Sequence, residues 1–298
     1  MMEPRQIIID CDPGIDDAVA LMLATASPLL DLIAVTAVHG NKPIGTTVAN
    51  ARRVLDLVGA DDIPVYRGAA RPLLRDAVPD NDYYGADGLG DVGLPPASRE
   101  PDPGIAAEKL VEIVMAAPEK SITVCPIGPM TNLALAMRLD PRFAGRLAGV
   151  CAMGGDFGHG PKEEFNVRTD PAAVDIVLTS GAALTLVPYD VTRTIRADDA
   201  TLSMLAASGD KRGEAAAAME RQRNPVGSAL HDPCAIAALI DPGLVTTERG
   251  TIRIEWRDRE GEGITEFEPS ADGPHRLVRS VDHGGLMALL IALLTDRS

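Results

Sequence analysis

Residues 7–20 read Ile7-Ile8-Ile9-Asp10-Cys11-Asp12-Pro13-Gly14-Ile15-Asp16-Asp17-Ala18-Val19-Ala20. Three β-branched apolar residues in a row, with no polar alternation, predict a strand buried on both faces. Pro13-Gly14 ends it as a turn. Asp16 and Asp17 then stand where a helix begins, a position that favours negative charge. Strand, turn and helix make the first half of a βαβ unit. The chain repeats that alternation. Strands are expected over residues 6–9, 32–37, 63–66, 121–125, 147–152 and 184–188, and helices over 17–25, 44–58, 105–116, 131–139 and 171–180. Within 44–58 the residues Val48, Ala51, Val54, Leu55 and Val58 recur at three- and four-residue steps, marking one buried face. Pro171 after Asp170 fits the first helical position after an N-cap. The pattern predicts an α/β fold, an open, doubly wound, mostly parallel sheet with helices on both faces.

The chain has 298 residues, of which 46% are hydrophobic, enough to form a large core and too many for a disordered chain. Its formal net charge of −15 argues against tracking nucleic-acid phosphates or an anionic membrane surface. Cys11, Cys125, Cys151 and Cys234 are widely spaced with no CxxC pair, so reduced, buried thiols are expected. The N-terminus lacks the apolar stretch of a signal peptide, and the apolar run 286–294 is too short to span a bilayer. A soluble, cytoplasmic protein is expected.

Two stretches break the rhythm. Residues 76–103 are rich in Gly, Asp and Pro and predict a long, mobile loop. Residues 197–224 predict a lid-like segment of one or two polar-faced helices. Thr251 to Trp256 alternate as a half-buried strand, and an apolar helix follows at 285–294. With no internal repeat or Pro/Ser-rich linker, residues 1–298 read as one domain.

Four carboxylates, Asp10, Asp12, Asp16 and Asp17, fall within eight residues at the strand end, where open α/β sheets bind ligands. Helix capping explains Asp16 and Asp17; it does not explain Asp10 and Asp12. Crowded carboxylates repel unless a cation neutralises them, and oxygen ligands point to Ca²⁺ or Mg²⁺. An EF-hand loop counted from Asp10 fails, with Gly14 fifth and Leu21 twelfth. The run also resembles the first strand of haloacid-dehalogenase-type phosphatases, with Asp10 as nucleophile, though Gly14 stands in their Thr/Val position.

A third resemblance covers more of the chain. Asp10 to Ala18 resembles the signature of the inosine–uridine-preferring nucleoside hydrolases. Further segments match that family in order: Gly40-Asn41 closing the second strand, Gly128-Pro129-Met130-Thr131-Asn132-Leu133-Ala134, Met153-Gly154-Gly155, Glu164-Phe165-Asn166 before Asp170-Pro171, and His231-Asp232-Pro233. The resemblance implies Ca²⁺-dependent hydrolysis of the N-glycosidic bond of ribonucleosides to free base and ribose. It implies Ca²⁺ bound by Asp12, Asp17, Asp232 and the backbone carbonyl of Ile127, with Asp12 as general base. Asp16, Asn41, Glu164, Asn166 and Asp232 would bind ribose hydroxyls, and His231 would protonate or hydrogen-bond the leaving base, a task suited to an imidazole pKa near ~6.5. A homo-oligomer, dimer or tetramer, is implied as well.

Each residue also has a plainer reading. His231 can cap a helix starting at Pro233, Glu164 and Asn166 can be loop polars, and Tyr83 and Tyr84 can be exposed aromatics instead of stacking on a base. His39, His159, His275 and His283 read as structural or surface residues. Residues 156–163 contain no Asn, which family members place there near the ribose 5′ side, so a modified 5′ position is compatible with the chain. The helix before His231 has no Tyr and offers Arg221, Arg223 and Asn224. The phosphatase and a riboside-binding protein without turnover stay open as alternatives.

Overall fold

The computed structural model describes residues 3–77, 80, 82–158, 163–223, 228–257 and 263–295. His159 and Asn224, and parts of the two loops singled out above, lie outside them. The described strands are β1 (Arg5–Cys11), β2 (Leu30–Ala37), β3 (Val65–Arg67), β4 (Asp102–Ile105), β5 (Ile122–Pro126), β6 (Gly149–Met153), β7 (Leu184–Val187), β8 (Val245–Glu255), β9 (Ile264–Pro269) and β10 (His275–Val281). They form one open sheet in the order β4-β3-β2-β1-β5-β6-β7-β10-β8-β9. Every pairing is parallel except β10 with β8 and β8 with β9.

The helices are α1 (Ile15–Ala26), α2 (Ile44–Leu57), α3 (Ala106–Ala116), α4 (Thr131–Leu139), α5 (Phe143–Arg146), α6 (Phe165–Thr169), α7 (Pro171–Leu178), α8 (Tyr189–Thr192), α9 (Asp199–Ala206), α10 (Lys211–Arg223), α11 (His231–Ile240) and α12 (His283–Leu294). Side chains alternate across the sheet and so build two cores. Ile7, Ile9 and Cys11 pack with α1, α2 and α11 on one face, and Ile8, Val124 and Val150 with α3, α4 and α7 on the other. Ile7, Ile8 and Ile9 are all fully buried, which explains the unbroken apolar run. Each such side chain contributes about 2 kcal/mol of burial.

Most expected elements appear within one or two residues of their bounds. The strand expected from 63 begins at Val65 because Pro64 has no N–H for the ladder, although its carbonyl accepts from Val35 at 2.9 Å. The long loop ends in the short edge strand β4. The polar-faced segment forms α9 and α10, whose inner residues Leu202, Leu205, Ala216, Ala217 and Met219 join the core. The hairpin partners β9 and β10 were not among the sequence expectations, and the helix raised there as the plainer setting of His231 is α11, beginning at His231 itself. All four cysteines are buried and free, as expected. No described helix is long and apolar enough to cross a membrane.

The chain passes from β1 to β2 on one side and reaches β5 on the other. That reversal opens a crevice at the carboxyl ends of β1 and β5, the usual ligand position in such sheets.

Candidate active site

The β1–α1 turn is built by its own backbone. Asp17, in the first turn of α1, accepts the Asp12 N–H at 3.1 Å and the Gly14 N–H at 3.0 Å. Asn41 follows β2 across the crevice. Its N–H donates to Asp12 Oδ2 at 2.6 Å, and its amide Nδ2 donates to the Asp12 carbonyl at 3.2 Å and Asp17 Oδ2 at 3.3 Å. Two glycines let the backbone close on Asp12. A Cβ at Gly40 would stand 2.0 Å from Asp12 Oδ2, and one at Gly128 would stand 2.3 Å from Oδ1. Neither position has room for a side chain.

Asp232, in the first turn of α11, completes an acidic cluster. Carboxylate oxygens of Asp16, Asp17 and Asp232 lie within 4.8 Å of one another, and all three residues are buried. Asp12 is outside that trio but adjoins it through Asp17. Asp12 Oδ1 and Asp16 Oδ1 are buried with no hydrogen-bond partner among the described residues. Burial, then the neighbouring carboxylates, pushes the Asp12 and Asp232 carboxyls well above the usual carboxylate range. Orphaned buried oxygens and mutual repulsion are what a hard cation removes, so the donor set fits a divalent metal ion.

Asp10 plays a different part. Its Oδ1 accepts from Thr36 Oγ1 at 2.7 Å and Asn132 Nδ2 at 2.8 Å, tying β1 to β2 and α4. It is fully buried and does not line the cavity described below. Burial raises its pKa to about 7. These bonds make Asp10 a structural tie between β1, β2 and α4, which is not the setting of a phosphatase nucleophile.

The cavity at the crevice has a volume of about 640 Å³. Asp16, Asn41, Ile127, Glu164, Asn166, His231 and Asp232 all line it; Asp12 and Asp17 stand behind that lining as a floor, bonded to Asn41, with Asp17 also clustered with Asp16 and Asp232. Glu164 caps α6, accepting from the Asn166 and Val167 N–H groups at 3.0 Å and from Gly155 at 3.1 Å. Burial raises its pKa while those amides oppose the shift. Asn166 Nδ2 donates to the Ile127 carbonyl at 2.8 Å. That carbonyl keeps a second lone pair, so a metal-ligand role remains open to it.

His231 is fixed within the cavity wall. Its ring is stacked on Tyr189, with centroids 5.1 Å apart and planes at 21°, and Nδ1 lies 2.8 Å from Thr192 Oγ1. Burial pushes its pKa down to about 4. The imidazole is therefore neutral at pH 7 in this state, and not the partly protonated acid that the free value implies. Tyr189 and Thr192 escaped the sequence reading. Their signal was position: α8 begins two residues after β7, at the carboxyl end of a parallel strand.

A second wall, called the base-side wall for the reading proposed below, comes from the long loop and α10. Tyr83 and Tyr84 meet edge to face at 4.9 Å, and Arg223 lies 5.5 Å and 5.1 Å from their ring centres. Tyr84 is buried, and Tyr83 is exposed. Arg223 Nη1 stands 3.7 Å from Asp16 Oδ2. Arg221, in contrast, turns outward to Asp199 and Ser203. His39, His275 and His283 have structural or surface partners, as expected.

Comparison with known proteins matches this geometry. The inosine-uridine preferring nucleoside hydrolase family model matches residues 7–288. The chain is 38% identical over 277 residues to the Leishmania major inosine-uridine preferring nucleoside hydrolase, covering 88% of this chain and 87% of that protein. It is 38% identical over 273 residues to the pyrimidine-specific ribonucleoside hydrolase RihA of Photobacterium profundum, covering 88% of each. A solved plant nucleoside hydrolase superposes with a TM-score of 0.91 at 33% identity, over 98% of this chain and 99% of that one. Fold, crevice and ordered motifs thus converge, and this chain belongs to the inosine-uridine preferring nucleoside hydrolase family, whose members hydrolyse the N-glycosidic bond of ribonucleosides.

Proposed function

We propose that the chain releases free base and ribose from ribonucleosides with Ca²⁺ held by Asp12, Asp17, Asp232 and the Ile127 carbonyl. The observation that carries this reading is the buried carboxylate cluster of Asp16, Asp17 and Asp232, two of which line one cavity with His231. Ca²⁺ fits the all-oxygen donors; when bound, it offsets their repulsion and makes a nearby water more acidic. Asp12 Oδ1, which has no partner, takes the proton of the attacking water. The water oxygen bonds to the anomeric carbon as the carbon–nitrogen bond breaks, and the bonding pair leaves with the base. Asp16, Asn41, Glu164, Asn166 and Asp232 hold the ribose hydroxyls while the sugar gains oxocarbenium character. With the Thr192 hydroxyl donated to His231 Nδ1, 2.8 Å away, instead of to the Tyr189 carbonyl, Nε2–H would be left to hydrogen-bond the departing base. Tyr84 offers the base a stacking face. The same reading carries a cytoplasmic enzyme assembled as a dimer or tetramer, which light scattering on the purified chain checks.

The test is base release from purine and pyrimidine ribonucleosides, with chelator and then Ca²⁺ add-back. Chelator-sensitive release restored by Ca²⁺ is expected. Release indifferent to chelation overturns the metal assignment.

A further inference from the structure

Glu220 is an ionisable group beside the cavity that this mechanism leaves unused. It sits on α10 one turn before Arg223, is 2% exposed, and neither carboxyl oxygen has a hydrogen-bond partner among the described residues. Ala216, Ala217 and Glu220 share the inward face of α10, and Arg223 continues it. Arg223 is held by the two tyrosine rings, by the Ala229 carbonyl at 3.2 Å and by Asp16 Oδ2 at 3.7 Å. Because Oδ2 faces the guanidinium, the unpartnered Oδ1 of Asp16 is left for a ligand.

We propose that Glu220 is a positioning residue for ribose recognition: it leaves Arg223 to Asp16 while it keeps its proton, and competes for Arg223 once the proton is lost. The inference rests on the reading of Asp16 as a ribose ligand. Burial pushes Glu220 up to about 8; Asp16 of α1 pushes the same way, and Arg223 opposes. From α9, Asp199 faces Arg221 on the outer edge of α10. The part of α12 buried in this core is apolar. At neutral pH the acid is uncharged, as its partnerless oxygens require. Above its pKa it becomes an anion one turn from a guanidinium whose present ionic contact is long. An Asp16 released by Arg223 loses its fixed orientation, so riboside binding weakens while the chemical step, carried by Asp12 and His231, stays.

Steady-state hydrolysis of inosine and uridine at saturating Ca²⁺, between about pH 6.5 and 9.5, tests the proposal. The wild-type KM should rise about 3- to 10-fold through a midpoint near 8, with kcat steady within about twofold. Glu220→Gln, which keeps the shape of the neutral acid, should give a flat KM close to the neutral wild-type value. Arg223→Gln should raise KM at neutral pH and also abolish the alkaline rise. A flat wild-type KM, or a rise that survives in either variant, overturns the proposal; the second variant decides if the first does not fold. Asp16→Asn separates the premises. An unchanged KM in Asp16→Asn refutes the ribose role of Asp16. A raised KM there, together with a Glu220→Gln profile that still climbs, refutes Glu220 alone.

Discussion

The floor and the base-side wall of the cavity are built in opposite ways. The floor is short in sequence. Asp12, Gly14 and Asp17 bond to one another within six residues, and Asn41 locks them from the next strand. The wall is assembled from afar: Tyr83 and Tyr84 from a loop, Arg223 from α10, Tyr189 and Thr192 from α8, and His231 from α11. The floor is enclosed by backbone amides and buried carboxyls, whereas the wall rests on ring faces, one long ion pair and a hydroxyl. The difference teaches that the Asp12–Asp17 turn is held largely by local geometry, while Asp232 and the ring-lined wall reach it only through tertiary packing.

That contrast can be broken from the floor first. Asp12→Ala removes the proposed base and the partner of the Asn41 amide, and should lower turnover about 10³-fold or more. Circular dichroism should show an intact fold, and a fully active variant would sink the assignment. Metal removal should silence the enzyme to a similar degree, with activity returning on Ca²⁺ titration; recovery with Mg²⁺ alone would redirect the identity of the ion. On the wall, His231→Ala should lower kcat about 10²-fold, and more for purine ribosides than for those with better leaving groups. Equal losses across a substrate panel would show that His231 does not act on the leaving base.

The smaller effects sharpen the comparison. Gly40→Ala pushes a Cβ into Asp12 Oδ2 and should cost about 1–3 kcal/mol of stability, along with metal affinity. Denaturant unfolding and metal titration read the two separately. Tyr84→Ala should leave metal affinity alone and raise KM by about 10-fold, roughly one lost aromatic contact. A Tyr84 variant with unchanged KM for every base would remove that ring from recognition.

How far each region is legible in sequence follows from the same division. The floor is written in one contiguous run, because a buried strand, a Pro-Gly turn and an acidic helix start act over neighbouring residues. The parallel sheet is legible too, since Ile7, Ile8 and Ile9 need cover on both faces. Glu164 and His231 could be placed only through the order of family motifs. Tyr189 could not, because an exposed-edge Tyr after a strand carries no local mark of the imidazole stacked on it. The shift of His231 to about 4 was equally hidden, since burial is a property of the assembled fold. The strand pair β8 and β9 was half seen because only 251–256 alternate cleanly.

Gly14 stands where floor and wall touch. A Cβ there would lie 3.1 Å from the Tyr84 ring and 3.1 Å from the Asn41 amide. Glycine keeps that space clear, so the Tyr84 ring and the Asn41 amide both close on the turn that orients Asp17, and a base at Tyr84 and an ion at Asp17 would be coupled through it. Binding free energies obey reciprocity. The ion's affinity should change with the identity of the bound base by the same factor as the base's affinity changes with the ion, so base selectivity measured at one metal concentration would not be a fixed property of the pocket.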